Sequence, residues 1–120
     1  MPADRDTLLR QLGAPAAHTR YAGTVSAVET IETHMSWVFV VGEHVVKLKK
    51  PVRYPFLDFS TPAAREAFCR EEVRLNSRLA PGVYRGVMAL QSRVGRLEVV
   101  PEAEADAHAT TIDWLVWMHR

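Results

Sequence analysis

Lysine and glutamate side chains at two places in the sequence are the groups whose type and spacing could do chemistry. Lys47, Lys49 and Lys50 lie in one short, otherwise apolar segment, and Glu71 and Glu72 lie further along the chain. An ammonium group that a carboxylate holds in place can receive the oxygens of a phosphate group. A solubilising edge strand accounts for three lysines equally well, so both interpretations are open at this point.

The lysine segment has the alternation of a β-strand. Successive side chains of a strand point to opposite faces, so Lys47 and Lys49 share one face. Lys47 has an apolar residue on each side in the sequence, and we expect it to be drawn inward. Lys49 and Lys50 adjoin Pro51 and a loop, and we expect both to be solvated.

The two glutamates lie on a predicted long helix whose apolar side is a narrow stripe. At about 100° per residue, Glu71 and Glu72 fall at the two edges of that stripe. A buried carboxylate without a partner is costly in free energy, so each glutamate either reaches solvent from the margin or pairs with a lysine of the sheet. The stripe consists of Ala64, Phe68, Leu75 and Leu79.

Capping and turn signals divide the chain into helices and strands. Thr61 followed by Pro62 starts the long helix, and Pro81 ends it after Leu79. Prolines at 51 and 55 forbid ladder pairing, which predicts a connecting loop over residues 51–59. The other predicted elements are a helix over 4–12, strands over 25–31, 35–41, 45–48, 83–90, 97–100 and 112–118, and an acidic loop or helical turn over 102–108.

This order of elements predicts an α+β fold. The glycine-containing turn at Gly42 joins two adjacent strands, and strands joined by a tight turn are antiparallel. The single long helix must then cover a face of the antiparallel sheet. A chain of 120 residues is long enough for one compact domain with its own core.

Composition excludes several classes of function. The formal net charge is +1, which argues against a nucleic-acid partner or an anionic membrane surface. A single cysteine, Cys69, excludes an internal disulfide, and we expect it to be a packed, inert thiol. The acidic N-terminus lacks the apolar core of a signal peptide, and no apolar run could span a bilayer, so we expect a cytoplasmic protein without a membrane partner. The five histidines show no spacing typical of metal ligands.

Several segments, in order and with matching spacing, resemble bacterial aminoglycoside-phosphotransferase-like proteins. The resemblance covers roughly residues 25–120, and some members of that group carry a P-loop ATPase domain after the kinase-like domain. The segments are Glu-Thr-His-Met-Ser-Trp-Val-Phe at 32–39, Lys-Leu-Lys-Lys-Pro-Val at 47–52, Phe-Leu-Asp-Phe-Ser-Thr at 56–61, Glu-Glu-Val-Arg-Leu-Asn at 71–76 and Leu-Ala-Pro at 79–81.

The resemblance implies a kinase-like N-terminal lobe, which is an antiparallel sheet of about five strands with one long helix packed on it. It assigns residues 25–120 to that lobe and residues 1–24 to an N-terminal helix and connector, with the C-terminal lobe absent from these 120 residues. Carried over by motif, Lys47 is the catalytic lysine that holds the α- and β-phosphates of ATP, and Glu72 is the helix glutamate that orients it. Glu71 stays open as the alternative, because helical geometry alone does not separate the two.

The resemblance also implies where the rest of the nucleotide would lie. The turn that contains Thr33, His34 and Ser36 matches the phosphate loop of kinases, although its glycines are missing here, and His34 is equally consistent with a surface residue. The last apolar strand would lead to the hinge between lobes, where Met118 and His119 would meet the adenine. The cofactor expected is ATP, with Mg²⁺ held by the absent lobe.

The function implied is an ATP-binding lobe of a phosphotransferase that phosphorylates a small-molecule hydroxyl. No catalytic aspartate and no Asp-x-Gly metal motif follow the predicted hinge, so we expect the chain alone to be inactive. Its expected partners are the nucleotide, the acceptor, the missing lobe and a possible P-loop domain. The main alternative is a non-catalytic interaction module with an exposed apolar patch; under the kinase interpretation such a patch lies beside the last strand and near Lys47. Nucleic-acid binding through residues 47–53 is disfavoured by the balanced charge.

Overall fold

A six-stranded antiparallel sheet forms the centre of the structure, which is a computed structural model that describes residues 4–120. The strand order across the sheet is β1-β2-β3-β8-β6-β7, and a separate two-stranded hairpin, β4 and β5, follows β3. The strands are β1 Glu29–Glu32, β2 Ser36–Val41, β3 His44–Lys49, β4 Arg53–Tyr54, β5 Leu57–Asp58, β6 Tyr84–Arg93, β7 Arg96–Pro101 and β8 Thr110–His119.

Tight turns account for the antiparallel pairings between neighbours in sequence. Gly42, with φ of 58°, begins the turn between β2 and β3. Val94 and Gly95, with φ of 50° and 80°, form the turn between β6 and β7. Positive φ at the first central residue, as at Gly42, or at both, as at Val94 and Gly95, is the backbone that matches the right-handed twist of a hairpin.

Within residues 4–120, three α-helices flank the sheet: α1 Arg5–Leu12, α2 Thr19–Ala22 and α3 Pro62–Leu79. The Asp4 side chain accepts a hydrogen bond from the backbone N–H of Thr7 at 2.8 Å, which caps α1. Thr61 does the same for Ala64 at 3.1 Å, and Pro62 occupies the first turn of α3. Single 3-10 turns lie at Pro15–His18 and Glu102–Glu104.

The sheet is covered on both sides. Residues 5–22 cover one side, called here the N-terminal face, and α3 covers the other, called the helix face. The helix face has a small apolar cluster centred on Cys69, Val87 and Val116. The N-terminal face holds the larger core, which consists of Leu12, Ala17, Trp37, Phe39, Val41, Val46, Leu48, Met88, Leu90, Leu97, Val99 and Leu115.

Most predicted elements are present, and the α+β class with an antiparallel sheet and one long helix is confirmed. The expected number of about five strands is corrected to six in the main sheet. The loop expected over residues 51–59 contains the β4–β5 hairpin, which Pro51 and Pro55 permit because it is separate from the main ladder. The first strand begins at Glu29 rather than at residue 25.

The segment assigned to residues 1–24 as a helix and connector packs into the main core. Its first three positions lie outside the described residues. Leu12 is fully buried, and Ala17 is 4% exposed, both in the same cluster as the strands. Residues 5–22 together therefore supply the layer that packs on this side of the sheet.

The apolar stripe predicted for α3 does not face the sheet. Phe68, Leu75 and Leu79 are 39%, 47% and 83% exposed, so the prediction that they form the buried face is wrong. The buried positions are Arg65 and Cys69, one turn apart. Hydropathy misplaces this face because Arg65 is buried with a charged partner, Asp113, which a pattern of apolar residues cannot reveal.

Candidate functional site

One carboxylate on α3 receives two lysines of β3. Lys47 Nζ lies 2.5 Å from Glu72 Oε2, and Lys49 Nζ lies 2.5 Å from Glu72 Oε1. The three side chains are 24%, 12% and 15% exposed, in the order Lys47, Lys49, Glu72. The predicted ion pair between the strand lysine and the helix glutamate is confirmed, and the three residues are called here the two-lysine cluster.

Strand and helix periodicity bring these groups together. Lys47 and Lys49 are two residues apart on β3 and so project from the same, helix-facing side of the sheet. Glu72 follows the buried Cys69 by three residues, which places both on the sheet-facing side of α3. Across the sheet, Lys47 pairs with Val38 of β2 and with Val116 of β8, so no polar side chain stands opposite it on either strand.

The electrostatics of the cluster favour charged groups despite burial. Burial acts to raise the pKa of the Glu72 carboxyl, but hydrogen bonds and charge attraction from Lys47 and Lys49 outweigh it and leave that pKa below its ordinary value. Glu72 is therefore an anion at neutral pH. Two cations around one anion leave the cluster with one positive charge in excess.

Tyr84 of β6 lies beside the cluster. The pKa of the Tyr84 hydroxyl is raised, mainly by burial and secondly by the negative charge of Glu72. The hydroxyl therefore stays protonated and able to donate a hydrogen bond. The sequence interpretation missed Tyr84 because a tyrosine near the start of a predicted strand carries no signal of its own. Only the sheet order, with β6 next to β8, brings it near Glu72.

Glu71 takes no part in the cluster. Its carboxylate binds Arg74 at 2.6 Å on the exposed side of α3. The alternative that the sequence left open is therefore decided in favour of Glu72 as the partner of Lys47.

The expectation that Lys49 and Lys50 would be solvated is wrong. Lys49 lies under α3 with its ammonium 5.8 Å from the centre of the Phe59 ring. Lys50 pairs with Glu32 at 2.5 Å and lies 5.5 Å from the Trp37 ring. Both ammonium groups have a carboxylate partner and an aromatic neighbour, which offset the loss of water.

The β1–β2 turn is closed by its own hydrogen bonds. The Thr33 hydroxyl accepts a hydrogen bond from Ser36 N at 3.0 Å and donates one to Ser36 O at 3.1 Å. Ser36 itself is buried and stands opposite Lys49 in the β2–β3 register. Two of the three residues predicted for this turn thus lie at the Lys49 end of the cluster, with the Thr33 hydroxyl engaged inside the turn.

His34 connects the turn to the β4–β5 hairpin. Its Nε2 lies 2.6 Å from the Tyr54 hydroxyl, and the two rings stack at 5.8 Å between centroids. Tyr54 stacks in turn on the exposed Phe56 ring at 6.1 Å. His34 is therefore an exposed residue that is held by an aromatic neighbour.

Met118 and His119 lie at the other end of β3. Met118 stands opposite Val45, and His119 stands opposite His44. The backbone N–H of His119 donates to Val83 O at 2.7 Å. The predicted site residues are thus arranged along β3. Met118 and His119 lie at its start, Lys47 lies in its middle, and the β1–β2 turn lies at its end.

A second buried ion pair, between Arg65 and Asp113, lies on the same face. Arg65 Nε lies 3.1 Å from both carboxylate oxygens of Asp113, and Arg65 Nη1 donates to Phe59 O at 2.7 Å. Burial raises the pKa of the Asp113 carboxyl although the Arg65 charge opposes that rise. An aspartate inside an apolar strand was the one signal that could have indicated this pair.

Cys69 lies on α3 between Arg65 and Glu72 and is fully buried against the sheet. Burial raises the pKa of its thiol to about 12, so it is protonated at neutral pH, and the prediction of a packed, inert thiol is confirmed. Between Asp4 and Arg120, no group of three or more metal-ligating side chains converges. No helix in that part of the chain is both long and apolar enough to cross a bilayer.

Comparison with known proteins gives relatives without an assigned activity. Uncharacterized proteins of Mycobacterium bovis and of two Mycobacterium tuberculosis strains are 41% identical to this chain over 68 residues. The match covers 57% of this chain and 14% of the length of each relative. No family model matches the chain, and no solved structure matches it.

Proposed function

We propose that this chain is the ATP-binding lobe of a phosphotransferase with a kinase-like, aminoglycoside-phosphotransferase-like fold. The observation that supports this proposal best is the ion pair between Lys47 and Glu72. A strand lysine held by a helix glutamate is the arrangement by which such a lobe keeps an ammonium ready for phosphate oxygens. The sheet with one long helix on it is compatible with that lobe.

The physical advantage of the pair is preorganisation. A free lysine side chain has many rotamers, and ordering it on ligand binding costs conformational entropy. Glu72 fixes the Lys47 ammonium before a ligand arrives, so this cost is met when the protein folds. The excess positive charge of the two-lysine cluster is complementary to a phosphate chain.

The layout of the site also fits an extended nucleotide. Met118 stands opposite Val45, and Ser36 stands opposite Lys49, so the two predicted ends of the site are four residues apart along β3. At about 3.3 Å per residue, this separation is roughly 13 Å. In the proposed site, the adenine lies near Met118 and His119, and the phosphates lie near Lys47 and the turn that contains Thr33, His34 and Ser36.

Chemistry would require groups beyond this lobe. ATP supplies the phosphoryl group, and Mg²⁺ and a catalytic base would come from a C-terminal lobe that holds the small-molecule acceptor. Within this chain, Lys47 would bind phosphate oxygens and Glu72 would orient Lys47. A P-loop domain in the complete protein belongs to the same proposal.

A non-catalytic interaction module is the second candidate, and one observation favours it. Leu75 and Leu79 on α3 are 47% and 83% exposed, and Phe68 in the same stripe is 39% exposed while its ring packs edge-to-face against Phe59. Exposed apolar side chains along one helix are typical of a protein contact. If contact were the whole function, nucleotide affinity would not depend on Lys47.

The proposal predicts that Lys47→Ala abolishes ATP binding and leaves the fold intact. Calorimetric titration of the chain with MgATP measures the affinity, and circular dichroism checks the fold. Lys50→Ala is the matched control. It removes the same charge three residues further along the chain but leaves Glu72 with both of its lysine partners. Equal ATP affinity in the Lys47→Ala variant and the unmodified chain would remove Lys47 from the site and favour the interaction module.

A further inference from the structure

The two-lysine cluster contains one lysine more than the orienting role requires. Glu72 could hold Lys47 with one oxygen, yet its second oxygen binds Lys49 at the same distance of 2.5 Å. Two ammonium groups that lie so close on one strand face repel each other unless an anion stands between them. Glu72 compensates for one of the two charges only.

The two lysines differ in how firmly they are held. The Lys49 side chain is half as exposed as that of Lys47, at 12% against 24%. Lys49 also lies over the Phe59 ring, a contact that favours a cation when water is excluded. Lys47 has Val38 and Val116 as its strand neighbours, so Glu72 is its one acidic contact within the described residues 4–120.

This difference decides what happens when an anion arrives. If Lys47 turned to a phosphate and Glu72 had no other partner, a largely buried carboxylate would be left uncompensated, which is strongly unfavourable. With Lys49 on its second oxygen, Glu72 keeps a cation throughout. The Lys47 ammonium, which has three N–H donors, can then turn some of them to a phosphate while Glu72 still orients it.

We propose that Lys49 is the permanent counter-ion of Glu72 and thereby a positioning residue, whereas Lys47 is the cation that shares its N–H donors between Glu72 and a bound polyphosphate. This inference deepens the proposed function, on which its nucleotide part rests, but it applies to any ligand with adjacent phosphate groups. Lys49 acts through Glu72 and does not itself contact the phosphate.

Inorganic pyrophosphate and MgATP are the two probes for a calorimetric test on the full chain. Lys49→Met should raise the Kd for both probes roughly tenfold, because Lys47 would then be the only cationic partner of Glu72 among the described residues and the excess charge would be lost. Lys50→Met changes the net charge equally at the adjacent position and should leave both Kd values within about twofold. Melting curves confirm that each variant is folded.

A second substitution separates positioning from direct contact. In Lys49→Met combined with Glu72→Gln, the amide still offers Lys47 an oxygen, but the negative charge is gone, so the cluster again has one positive charge in excess. The Kd for pyrophosphate should return to within about threefold of the unmodified chain. Lys49→Arg, which keeps the charge if Lys49→Met fails to fold, should retain affinity within the same range.

Each outcome decides the inference. Failure of the double variant to recover affinity would mean that Lys49 contacts the ligand directly, and an unchanged Kd in Lys49→Met would mean that it has no role; both overturn the proposal. Pyrophosphate binding that depends on Lys49, without tighter binding of MgATP, would support the inference and count against the nucleotide function. An unmodified chain that binds neither probe would overturn both.

Discussion

The two faces of the sheet are built on different principles. The N-terminal face buries a continuous apolar core that includes Phe39, Leu90 and Leu115, under the short helices of residues 5–22. The helix face has a small apolar cluster, and charged pairs on both sides of it: the two-lysine cluster and the pair of Arg65 with Asp113. One face supplies most of the hydrophobic stabilisation, and the other keeps charges fixed under α3.

This division shows that the long helix packed on a sheet need not supply most of the domain's hydrophobic core. The long helix was expected to cover the sheet with its apolar residues, whereas Leu75 and Leu79 are largely exposed and Phe68 is partly exposed. The short N-terminal segment, with Leu12 fully buried, does that work instead. The helix face is thereby free to hold charged groups in fixed positions.

The largest expected effect is the loss of an aromatic side chain from the N-terminal face. Phe39→Ala should lower the free energy of unfolding by about 3–5 kcal/mol, because Phe39 is fully buried and its removal leaves a cavity. The matched change on the outer side of α3, Phe68→Ala, should cost about 1 kcal/mol or less, since Phe68 is partly exposed. Urea unfolding followed by tryptophan fluorescence measures both. Equal losses would break the division between the faces.

On the helix face, breaking the buried ion pair comes next. Asp113→Ala should lower the free energy of unfolding by about 3–5 kcal/mol, because the Arg65 guanidinium would stay buried without its carboxylate. The double variant Arg65→Met with Asp113→Leu should recover most of this loss. Chemical denaturation of the single and double variants is the measurement, and a double variant as unstable as Asp113→Ala would show that the loss comes from packing.

A pH-dependent loss of stability should arise on the N-terminal face. His18 is fully buried, with Nε2 2.7 Å from Leu12 O and Nδ1 2.6 Å from the Tyr21 hydroxyl. Burial lowers the pKa of His18, against the opposing effect of the Leu12 carbonyl, so the unfolded state binds the proton more tightly than the folded state. Stability is complete above the unfolded pKa of about 6.5 and should fall by up to about 1.4 kcal/mol per pH unit below it.

Substitution of His18 tests the source of that pH dependence. The fall in thermal midpoint between pH 7 and pH 5 should be smaller in His18→Gln than in the unmodified chain. His44 is the second histidine near Tyr21, and burial followed by repulsion from Arg85 also lowers its pKa, so His44→Gln measures the remainder. An unchanged pH profile in His18→Gln would remove His18 as the main source.

The smallest effect is expected outside both faces, in the β6–β7 turn. Val94 has φ of 50°, which is strained for a β-branched residue, and its side chain is exposed. Val94→Asn should therefore raise the free energy of unfolding by about 1 kcal/mol and leave ligand binding unchanged. Thermal unfolding is the measurement, and a destabilised variant would show that the valine makes a useful contact.

Sequence alone predicted the features that depend on local chemistry. The cap at Thr61, the end of α3 at Leu79 and the hairpin turn at Gly42 follow from backbone preferences of single residues. These preferences need no knowledge of how distant segments pack. For the pairing of Lys47 with an acid of α3, strand alternation and the cost of a buried charge left two interpretations open, and the resemblance to kinase-like proteins selected the pair.

Features that depend on tertiary pairing were missed. Nothing local shows that Lys49 would be buried, because its partner Glu72 lies 23 residues away on another element. The buried face of α3 was misplaced because Arg65 is buried only in the presence of Asp113. The residues alone left Glu71 and Glu72 open as partners of Lys47, because helical periodicity does not define how α3 crosses the sheet; the resemblance assigned Glu72, which is the residue that pairs with Lys47.

The stacked rings of His34, Tyr54 and Phe56 have a mechanical consequence. They join the tip of the β1–β2 turn to the β4–β5 hairpin, two segments that are not neighbours in the sheet. A displacement of one segment must either carry the other with it or separate the rings and break the contact between His34 and Tyr54. The two segments are therefore joined at the Lys49 end of the sheet by ring stacking and one side-chain hydrogen bond instead of by strand pairing.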